Sequence, residues 1–407
     1  MRALYIISNP FYYTNNPVGG SISSGTGVIN GLSELGYLVD IISDDKLPTI
    51  KGNQRIKYLY FRKLLIREVI QNFRRIFPNR LINLLESIFF RFVIKIDIKR
   101  ILSEQNYDLV YIRASHFAGD ALEVVKTFGT PSILEVNKPL SMQNYNKPQG
   151  FEGLNENERK IKKIANEIKQ YENTIMISTD SNLRGRWITK YVDPKYRRKI
   201  LINHNGVNEK LFKPTSKVDI SSNGIIGMAS SFRWYNDIDE LMRIIKKVRD
   251  SKQDVEFRLF IGDKSKHDEI ESKINENGLN DSINTFYSIP LDQMPEKLGE
   301  CDLLISHFNF HGVWPHNCSI KHLEYMAMGK AVIATNVGEV NFAIKHNISG
   351  LLVDESDEDK FANEILRLLQ DTTLARNLGN QARNQIVSSH TWKQHVERSL
   401  NFLKHQT

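Results

Sequence analysis

Residues 318–339 read CSIKHLEYMAMGKAVIATNVGE, and this stretch decides the fold. Its first part has apolar residues at three- and four-residue spacings, which predicts a helix that ends at Gly329. AVIAT then predicts a buried strand, and VGE a glycine turn. A helix, a glycine stop, a strand and a turn in this order are typical of a parallel sheet with helices between its strands.

The same alternation extends over the whole chain. The predicted strands are ALYIIS, LVDIIS, DLVYIRAS, PSILEVN, TIMISTDS and KILINHNGV in the first half, and GIIGMAS, VEFRLFIGD, INTFYSI, DLLISHF and AVIATNV in the second. The segment from about 357 to 404 is predicted to be helical. The sequence therefore predicts an α/β fold with two Rossmann-like, doubly wound parallel-sheet domains facing a central cleft.

The predicted domains are 1–205, with the helix 390–407 packing back on it, and 206–389. Asn205-Gly206 is interpreted as a turn at the hinge between them. A chain of 407 residues is too long for one ordinary core, and 41% hydrophobic and 25% charged residues are typical of folded soluble proteins.

Several features favour a cytoplasmic location. The two cysteines, Cys301 and Cys318, cannot form a multi-bridge disulfide framework, and the start lacks the long apolar core of a signal peptide. No stretch of about 18 apolar residues is free of charge, so no membrane span is expected.

The net charge of +8 is concentrated in residues 61–100, which contain ten Lys or Arg against three acidic residues. Apolar residues between these charges predict basic amphipathic helices. Two interpretations stay open, a solvated basic face over a core stripe and peripheral association with an anionic membrane surface. Nucleic acid is disfavoured, because no nucleic-acid-binding motif is present.

Four residues at the start of the 318–339 helix are candidate donor-binding groups. Free N–H groups around Ser319 and Ile320 favour a diphosphate. Lys321 can neutralise phosphate charge, and Glu324, three residues later on the same face, can accept hydrogen bonds from ribose hydroxyls. The alternative is a surface Lys–Glu pair on an amphipathic helix.

This segment resembles the donor-binding signature of glycosyltransferase family 4, a family of retaining enzymes with the GT-B fold. The resemblance covers most of the chain. It includes the Gly19-Gly20 loop, GLSELGYLVDII, VYIRAS with ILEVNKPL, KILINHNGVNEKLFKP, SSFRWYNDIDEL and ISGLLVDESDEDKFANEILRLL.

The resemblance implies roles for individual residues. Glu324 matches the second glutamate of the family's Glu-x7-Glu motif, which holds the nucleotide ribose, and Lys321 matches a basic residue often found three positions before it. Gly19 and Gly20 match the loop that approaches the donor phosphates. Arg233 is the candidate cation that, with Lys321, stabilises the leaving diphosphate, so neither metal nor cofactor is expected.

Two positions depart from the family pattern. His316 stands where the first glutamate is expected and is a candidate contact to donor phosphate or sugar hydroxyls, and Asn236-Asp237 replace the usual Lys-Gly. His307, His311, His316, Cys318 and His322 raise the alternative of a metal site, but their spacing fits no standard zinc pattern.

Polar residues also end two strands of the first domain. Arg113 and His116 follow DLVYI, while Glu135 and Asn137 end PSILEVN. The resemblance places them near the acceptor or the transferred sugar, and loop ion pairs are the alternative.

The predicted function is retaining transfer of a sugar from a nucleotide-sugar to a glycan or lipid-linked acceptor, in cell-surface polysaccharide or glycoconjugate synthesis. The resemblance implies a hexosyltransferase that needs no protein nucleophile, since the departing diphosphate oxygen helps deprotonate the acceptor. Alternatives are a homologue that binds nucleotide-sugar without transfer and a nucleotide-sugar epimerase. A dinucleotide oxidoreductase is disfavoured, because no G-x-G-x-x-G follows the first strand.

Overall fold

The computed structural model describes residues 1–7, 20–43, 55–60, 78–142, 154–215, 223–232, 236–309 and 319–406. The chain forms two compact units. Unit 1 comprises Met1–Asn15, Val28–Asn203 and Val396–Thr407, and unit 2 comprises Asn16–Gly27 and His204–His395.

Each unit contains one sheet, and every strand pairing is parallel. The strands of unit 1 are β1 (Arg2–Ile6), β2 (Leu38–Ser43), β3 (Ile56–Tyr60), β4 (Leu109–Arg113), β5 (Ser132–Glu135), β6 (Met176–Thr179) and β7 (Ile200–Ile202). Those of unit 2 are β8 (Ile225–Ser230), β9 (Glu256–Ile261), β10 (Ile283–Tyr287), β11 (Leu303–Ser306), β12 (Ala331–Thr335) and β13 (Leu351–Val353). The strand orders are β3-β2-β1-β4-β5-β6-β7 and β10-β9-β8-β11-β12-β13.

Helices lie between most successive strands of the described chain, and three more follow β13. They are α1 (Gly20–Glu34), α2 (Asn79–Glu104), α3 (Ala118–Thr127), α4 (Leu154–Asn173), α5 (Asn182–Trp187), α6 (Ile238–Ser251), α7 (His267–Glu276), α8 (Met294–Gly299), α9 (Ile320–Ala327), α10 (Val340–Ala343), α11 (Glu358–Gln370), α12 (Thr372–Ser389) and α13 (Trp392–Lys404). Shorter 3-10 turns cover Leu140–Met142, Pro194–Lys199 and Lys264–Lys266, and Ile188–Val192 is π-helical. None of the described helices combines the length and apolar character needed to cross a bilayer.

The predicted pair of parallel α/β sheets is confirmed. The two strands that were not predicted, β3 and β13, both lie at a sheet edge. β13 has only three residues, and β3 has the mixed sequence IKYLY, so neither has the continuous apolar run that marks a fully buried strand.

The sheet of unit 2 is buried on both faces, which explains its apolar strands. Ile226, Leu303 and Ile333 face one core cluster, while Leu304 and Val332 face the other. Alternate residues of each strand thus pack under helices on opposite faces.

Strand order reverses between β8 and β11 in unit 2, and between β1 and β4 in unit 1. The carboxyl ends of strands beside such a reversal are where open parallel sheets bind ligands. Candidate ligand sites are therefore expected at the carboxyl ends of β8 and β11 in unit 2 and of β1 and β4 in unit 1.

Candidate functional site

Helix α9 carries the main candidate residues of unit 2. Ser319 is its N-cap in extended conformation, Ile320 is its first residue, and Gly329, at φ 68°, follows its end. Lys321 is half-buried in the first turn and Glu324 is buried one turn later. The predicted helix and its glycine stop are therefore present, and the Glu324 carboxyl is not on an open surface.

Glu324 has an unusual environment for a carboxyl group. Its side chain is 8% exposed, and burial raises its pKa to about 7. The charge of Lys321 and a hydrogen bond from Ser23 offset part of the effect of burial. A carboxylate with unfilled acceptor capacity in such a place is suited to accept hydroxyl groups of a ligand.

Ser23 is a contact that the sequence reasoning missed. It lies in the first turn of α1, three residues after Gly20, and its Oγ donates to Glu324 Oε1 at 3.4 Å. Both residues belong to unit 2. The signal available in the sequence was the position of Ser23 three residues after the Gly19-Gly20 pair, at the end of GGSIS.

Two other residues of α9 fasten the helix to the sheet. His322 Nε2 lies 2.8 Å from Ser306 Oγ at the end of β11, and the backbone N–H of Ala229 in β8 donates to the Tyr325 hydroxyl at 2.6 Å. Burial lowers the pKa of His322 to about 3, so its ring is neutral. His322 is therefore a packing residue, and α9 is held to the two strands beside the reversal of strand order.

A buried polar network lies at the carboxyl ends of β8 and β11. Ser230 Oγ donates to Asn236 Oδ1 at 2.8 Å, and Asn236 Nδ2 donates to the backbone oxygen of His307 at 2.9 Å. Asn236, one of the two departures from the family pattern, thus connects two strand ends. It has a structural role that the sequence did not reveal.

Glu240 of α6 extends this network. His307 Nε2 lies 3.3 Å from Glu240 Oε1, and Asn309 donates to Glu240 Oε2. Burial alone raises the pKa of Glu240, but the hydrogen bonds from His307 and Asn309 outweigh it, so the pKa lies below its ordinary value. His307 therefore pairs with a buried carboxylate.

Among the residues that the structure describes, no group of three or more His, Cys, Asp or Glu side chains is placed to hold a metal ion. His311, His316 and Cys318 of the alternative metal set lie outside the described residues, as do the predicted site residues Gly19 and Arg233. Gly20 is the first residue of α1.

In unit 1 the structure brings three of the four predicted acceptor-side residues together. Arg113 and Glu135 are register partners at the ends of β4 and β5, with Arg113 Nε 3.8 Å from Glu135 Oε2. Asn137 Nδ2 donates to Glu135 Oε1 at 2.9 Å. Burial raises the pKa of Glu135, and the Arg113 guanidinium offsets part of this shift.

His116, the fourth residue, is exposed, and its backbone oxygen accepts from Asn166 Nδ2 at 2.8 Å. Its pKa is lowered, first by partial burial of the ring and then by the charges of Lys163 and Arg91. Its contacts therefore differ from those of the Arg113–Glu135 pair.

The basic segment 61–100 is only partly described, because 61–77 lie outside the described residues. Its remainder forms most of the single helix α2, of 26 residues. The inner side of α2 packs into the core of unit 1 through residues that include Phe90, Ile94 and Ile98.

Comparison with known proteins identifies similar sequences and similar folds. Residues 213–385 match the family model described as glycosyl transferases group 1. An uncharacterized glycosyltransferase of Methanocaldococcus jannaschii is 23% identical over 212 residues, which are 52% of this chain and 55% of that protein. The match therefore spans about half the length of this curated relative.

Two solved structures are similar over the whole chain. Sucrose-phosphate synthase of Thermosynechococcus elongatus has a TM-score of 0.71 at 15% identity and covers 100% of this chain and 99% of its own. Anabaena HepE, solved in complex with UDP-glucose, has a TM-score of 0.69 at 14% identity and covers 100% of both chains. At these identities the likeness establishes the fold.

Proposed function

We propose that the chain, which has the GT-B fold and whose residues 213–385 match the glycosyl transferases group 1 family model, transfers a sugar from a nucleotide-sugar to a glycan or lipid-linked acceptor. The anomeric configuration of the sugar is retained in the product. The reaction serves the synthesis of a cell-surface polysaccharide or glycoconjugate, on the cytoplasmic side of a membrane.

The observation that carries this proposal is the buried carboxyl of Glu324, one turn into α9 and beside the half-buried Lys321. As an anion it accepts the two ribose hydroxyls of the donor, and each charge-assisted hydrogen bond contributes about 1.5–3 kcal/mol. The N–H groups at Ser319 and Ile320, with the loop at Gly19-Gly20 and His316, bind the diphosphate and the sugar.

Catalysis rests on the charge that develops on the leaving diphosphate. Lys321 and Arg233 stabilise this charge, so the transfer requires no metal ion. The bond from the sugar to the phosphate oxygen breaks while the bond to the acceptor oxygen forms. The departing phosphate oxygen accepts the proton of the attacking hydroxyl, so no protein nucleophile is required.

The acceptor or the transferred sugar contacts the polar strand ends of unit 1. Arg113, Glu135 and Asn137 support this assignment because they form one connected group at the carboxyl ends of β4 and β5. His116 follows β4 and is assigned to the same side. A lipid-linked acceptor requires the enzyme at a membrane surface, for which the basic segment 61–100 is suited.

The test is a thermal-shift screen of the purified chain against nucleotide-sugars, starting with UDP-glucose, followed by a search for transfer with the donor that stabilises the protein. A true donor binds the folded state only and raises the melting temperature. Conversion of the donor without any acceptor would indicate an epimerase. Stabilisation with no turnover across an acceptor panel would indicate a binding protein without transfer activity.

A further inference from the structure

The outer face of α2 carries an apolar stripe that is exposed to solvent. Of the twelve large hydrophobic side chains that are exposed in the described part of the chain, five lie on this helix. The members of this outer stripe are Leu81 (42% exposed), Leu85 (47%), Ile88 (45%), Phe92 (63%) and Ile96 (60%). Their spacing of three and four residues aligns them along one side of the helix.

The outer stripe is separate from the part of α2 that the core uses. Phe90, Ile94 and Ile98 are at most 4% exposed and belong to the core cluster of unit 1. Helix α2 is thus apolar on two faces, and among the described residues only one of these faces packs into the core. An exposed apolar face of this size on a helix is a feature of interaction sites.

Cations border the outer stripe. Arg91 lies 2.6 Å from Asp120, and Lys95 lies 2.7 Å from Glu123, a carboxylate that it shares with Lys169. Arg91, Lys95 and Lys169 carry three positive charges, and Asp120 and Glu123 carry two negative charges, so this group has a net charge of +1.

Lys99 adds a further cation, three residues after Ile96 on the same side of the helix, and it is exposed. The surroundings of the outer stripe are therefore positive, and an apolar surface with a cationic border is complementary to an anionic lipid interface.

We propose that the outer stripe of α2 inserts into the interfacial region of an anionic lipid bilayer and holds the enzyme there. The biological sense of this anchoring rests on the proposed function, because a lipid-linked acceptor lies at that interface. The binding itself depends only on the surface of α2. Phe92 and Ile96, the most exposed members, reach furthest into the lipid.

The same observations disfavour a second copy of the chain as the occupant. The exposed parts of five such side chains amount to roughly 500 Å², below the ~800 Å² that each partner contributes to a standard protein interface. A symmetric dimer also places the same patch against itself, which would bring the two cationic borders together. Lipid headgroups of opposite charge avoid this repulsion.

The pairing of Arg91 and Lys95 with carboxylates determines how this surface responds to salt. Because these cations are already neutralised in part within the protein, insertion of the apolar side chains provides most of the attraction. Binding is therefore expected to decrease only a few-fold between low and roughly half-molar salt, whereas purely electrostatic attachment is lost.

The test is vesicle co-sedimentation of the full chain with the double variant Phe92→Gln/Ile96→Gln. The vesicles are phosphatidylcholine alone, or phosphatidylcholine with about one third phosphatidylglycerol. The matched control is Ile348→Gln/Val387→Gln, since Ile348 is 61% and Val387 46% exposed, and both lie in unit 2. We expect a loss of about tenfold in affinity for anionic vesicles in the α2 variant, and no change in the control.

A second measurement reports insertion directly. A Phe92→Trp protein should show fluorescence quenching by bromine-labelled lipids, whereas Ile348→Trp should not. Equal vesicle binding by wild type and the α2 variant would overturn the proposal. So would a dimer, detected by light scattering, that the α2 variant abolishes.

The proposed function is tested separately by the melting-temperature shift with nucleotide-sugar in the absence of lipid. The α2 variant should keep this shift. If the α2 variant loses vesicle binding but keeps the melting-temperature shift, the outer stripe acts in membrane binding and not in donor binding. If the wild type shows no shift with any nucleotide-sugar, the proposed function is contradicted and the membrane proposal is not affected.

Discussion

Ser23 Oγ donates a hydrogen bond to Glu324 Oε1 at 3.4 Å, between the first turn of α1 and the second turn of α9. Both side chains are at most 9% exposed. The hydrogen bond favours the charged form of Glu324, whereas burial favours the neutral form and has the larger effect, so the pKa is about 7. The candidate ribose-binding carboxyl is therefore close to half-protonated at neutral pH in the unliganded protein.

This pKa predicts how stability depends on pH. The folded protein keeps the proton on Glu324 up to pH about 7, while the unfolded chain releases it near the ordinary value of 4.5. Between these values the folded state binds more protons, so the free energy of unfolding falls as pH rises, by roughly 3 kcal/mol in total. Glu324→Gln has no titrating carboxyl at this position, so its free energy of unfolding should not show this decrease with rising pH.

The measurement is the melting temperature at pH 5.5 and at pH 8.5. Glu324→Gln should be close to wild type at the lower pH and more stable by a few degrees at the higher pH. Glu296→Gln, which alters an exposed glutamate of α8, serves as control and should behave as wild type at both. Equal stability of wild type and Glu324→Gln at pH 8.5 would show that Glu324 titrates normally.

Donor binding should have the opposite pH dependence. In the proposed function the anionic form of Glu324 accepts two ribose hydroxyls, so binding of the nucleotide-sugar is expected to require release of the proton and to strengthen as pH rises through about 7. Glu324→Ala should weaken binding by about 1.5–3 kcal/mol at pH 8 and remove the pH dependence. Isothermal titration at several pH values, in two buffers of different ionisation enthalpy, measures both affinity and proton release.

Ser23→Ala gives a related prediction. Removal of the hydroxyl deletes a hydrogen bond that favours the charged form of Glu324, so the pKa should rise above about 7. The midpoint of the pH dependence of donor affinity should move upward with it, whereas affinity well above the midpoint changes little. Ser23→Thr keeps the hydroxyl and is the matched control. An unmoved midpoint in Ser23→Ala would mean that this contact is too weak to affect Glu324.

The order of strands and helices could be predicted from sequence because it depends on local apolar patterns. Thus AVIAT and LLIS form strands, as predicted, and every residue in them is buried. The edge strand β13 could not be predicted in this way, since its three residues become a strand only by pairing with β12.

The environment of side chains depends on the tertiary fold and was harder to predict. Glu240 resembles a surface residue of an amphipathic helix, DIDELMRII, yet it is 3% exposed because the end of β11 brings His307 and Asn309 to it. The sequence likewise indicated that α2 is apolar and basic, but did not reveal that two different faces are apolar. The pairing of Arg113 with Glu135 required the register of β4 and β5.

Tyr325→Phe should destabilise the protein. The Tyr325 hydroxyl accepts from the N–H of the half-buried Ala229 at 2.6 Å and donates to the Ala229 oxygen at 3.3 Å, so its loss removes a partner from two backbone groups of β8, at a cost of about 1–3 kcal/mol. Chemical denaturation followed by circular dichroism should show a lower midpoint. Tyr191→Phe, at a residue that is 39% exposed, is the control and should stay within about 0.5 kcal/mol of wild type. A midpoint unchanged in Tyr325→Phe would mean that water or a shifted side chain satisfies Ala229.

Lys321→Ala should lower the rate of the chemical step more than donor binding. Negative charge grows on the diphosphate as the glycosidic bond breaks, so a cation beside it stabilises the transition state more than the ground state. We expect kcat to fall by about 10²–10³-fold with a change in KM of only a few-fold, and the same pattern for Arg233→Ala. Lys321→Arg, which keeps the charge, should recover part of kcat. Under the proposed function, activity of the wild type should also survive EDTA, because the two cations would take the role that a divalent metal has in other transferases. A rise in KM alone in both alanine variants would contradict leaving-group stabilisation, and complete loss of activity in EDTA would contradict the metal-independent mechanism.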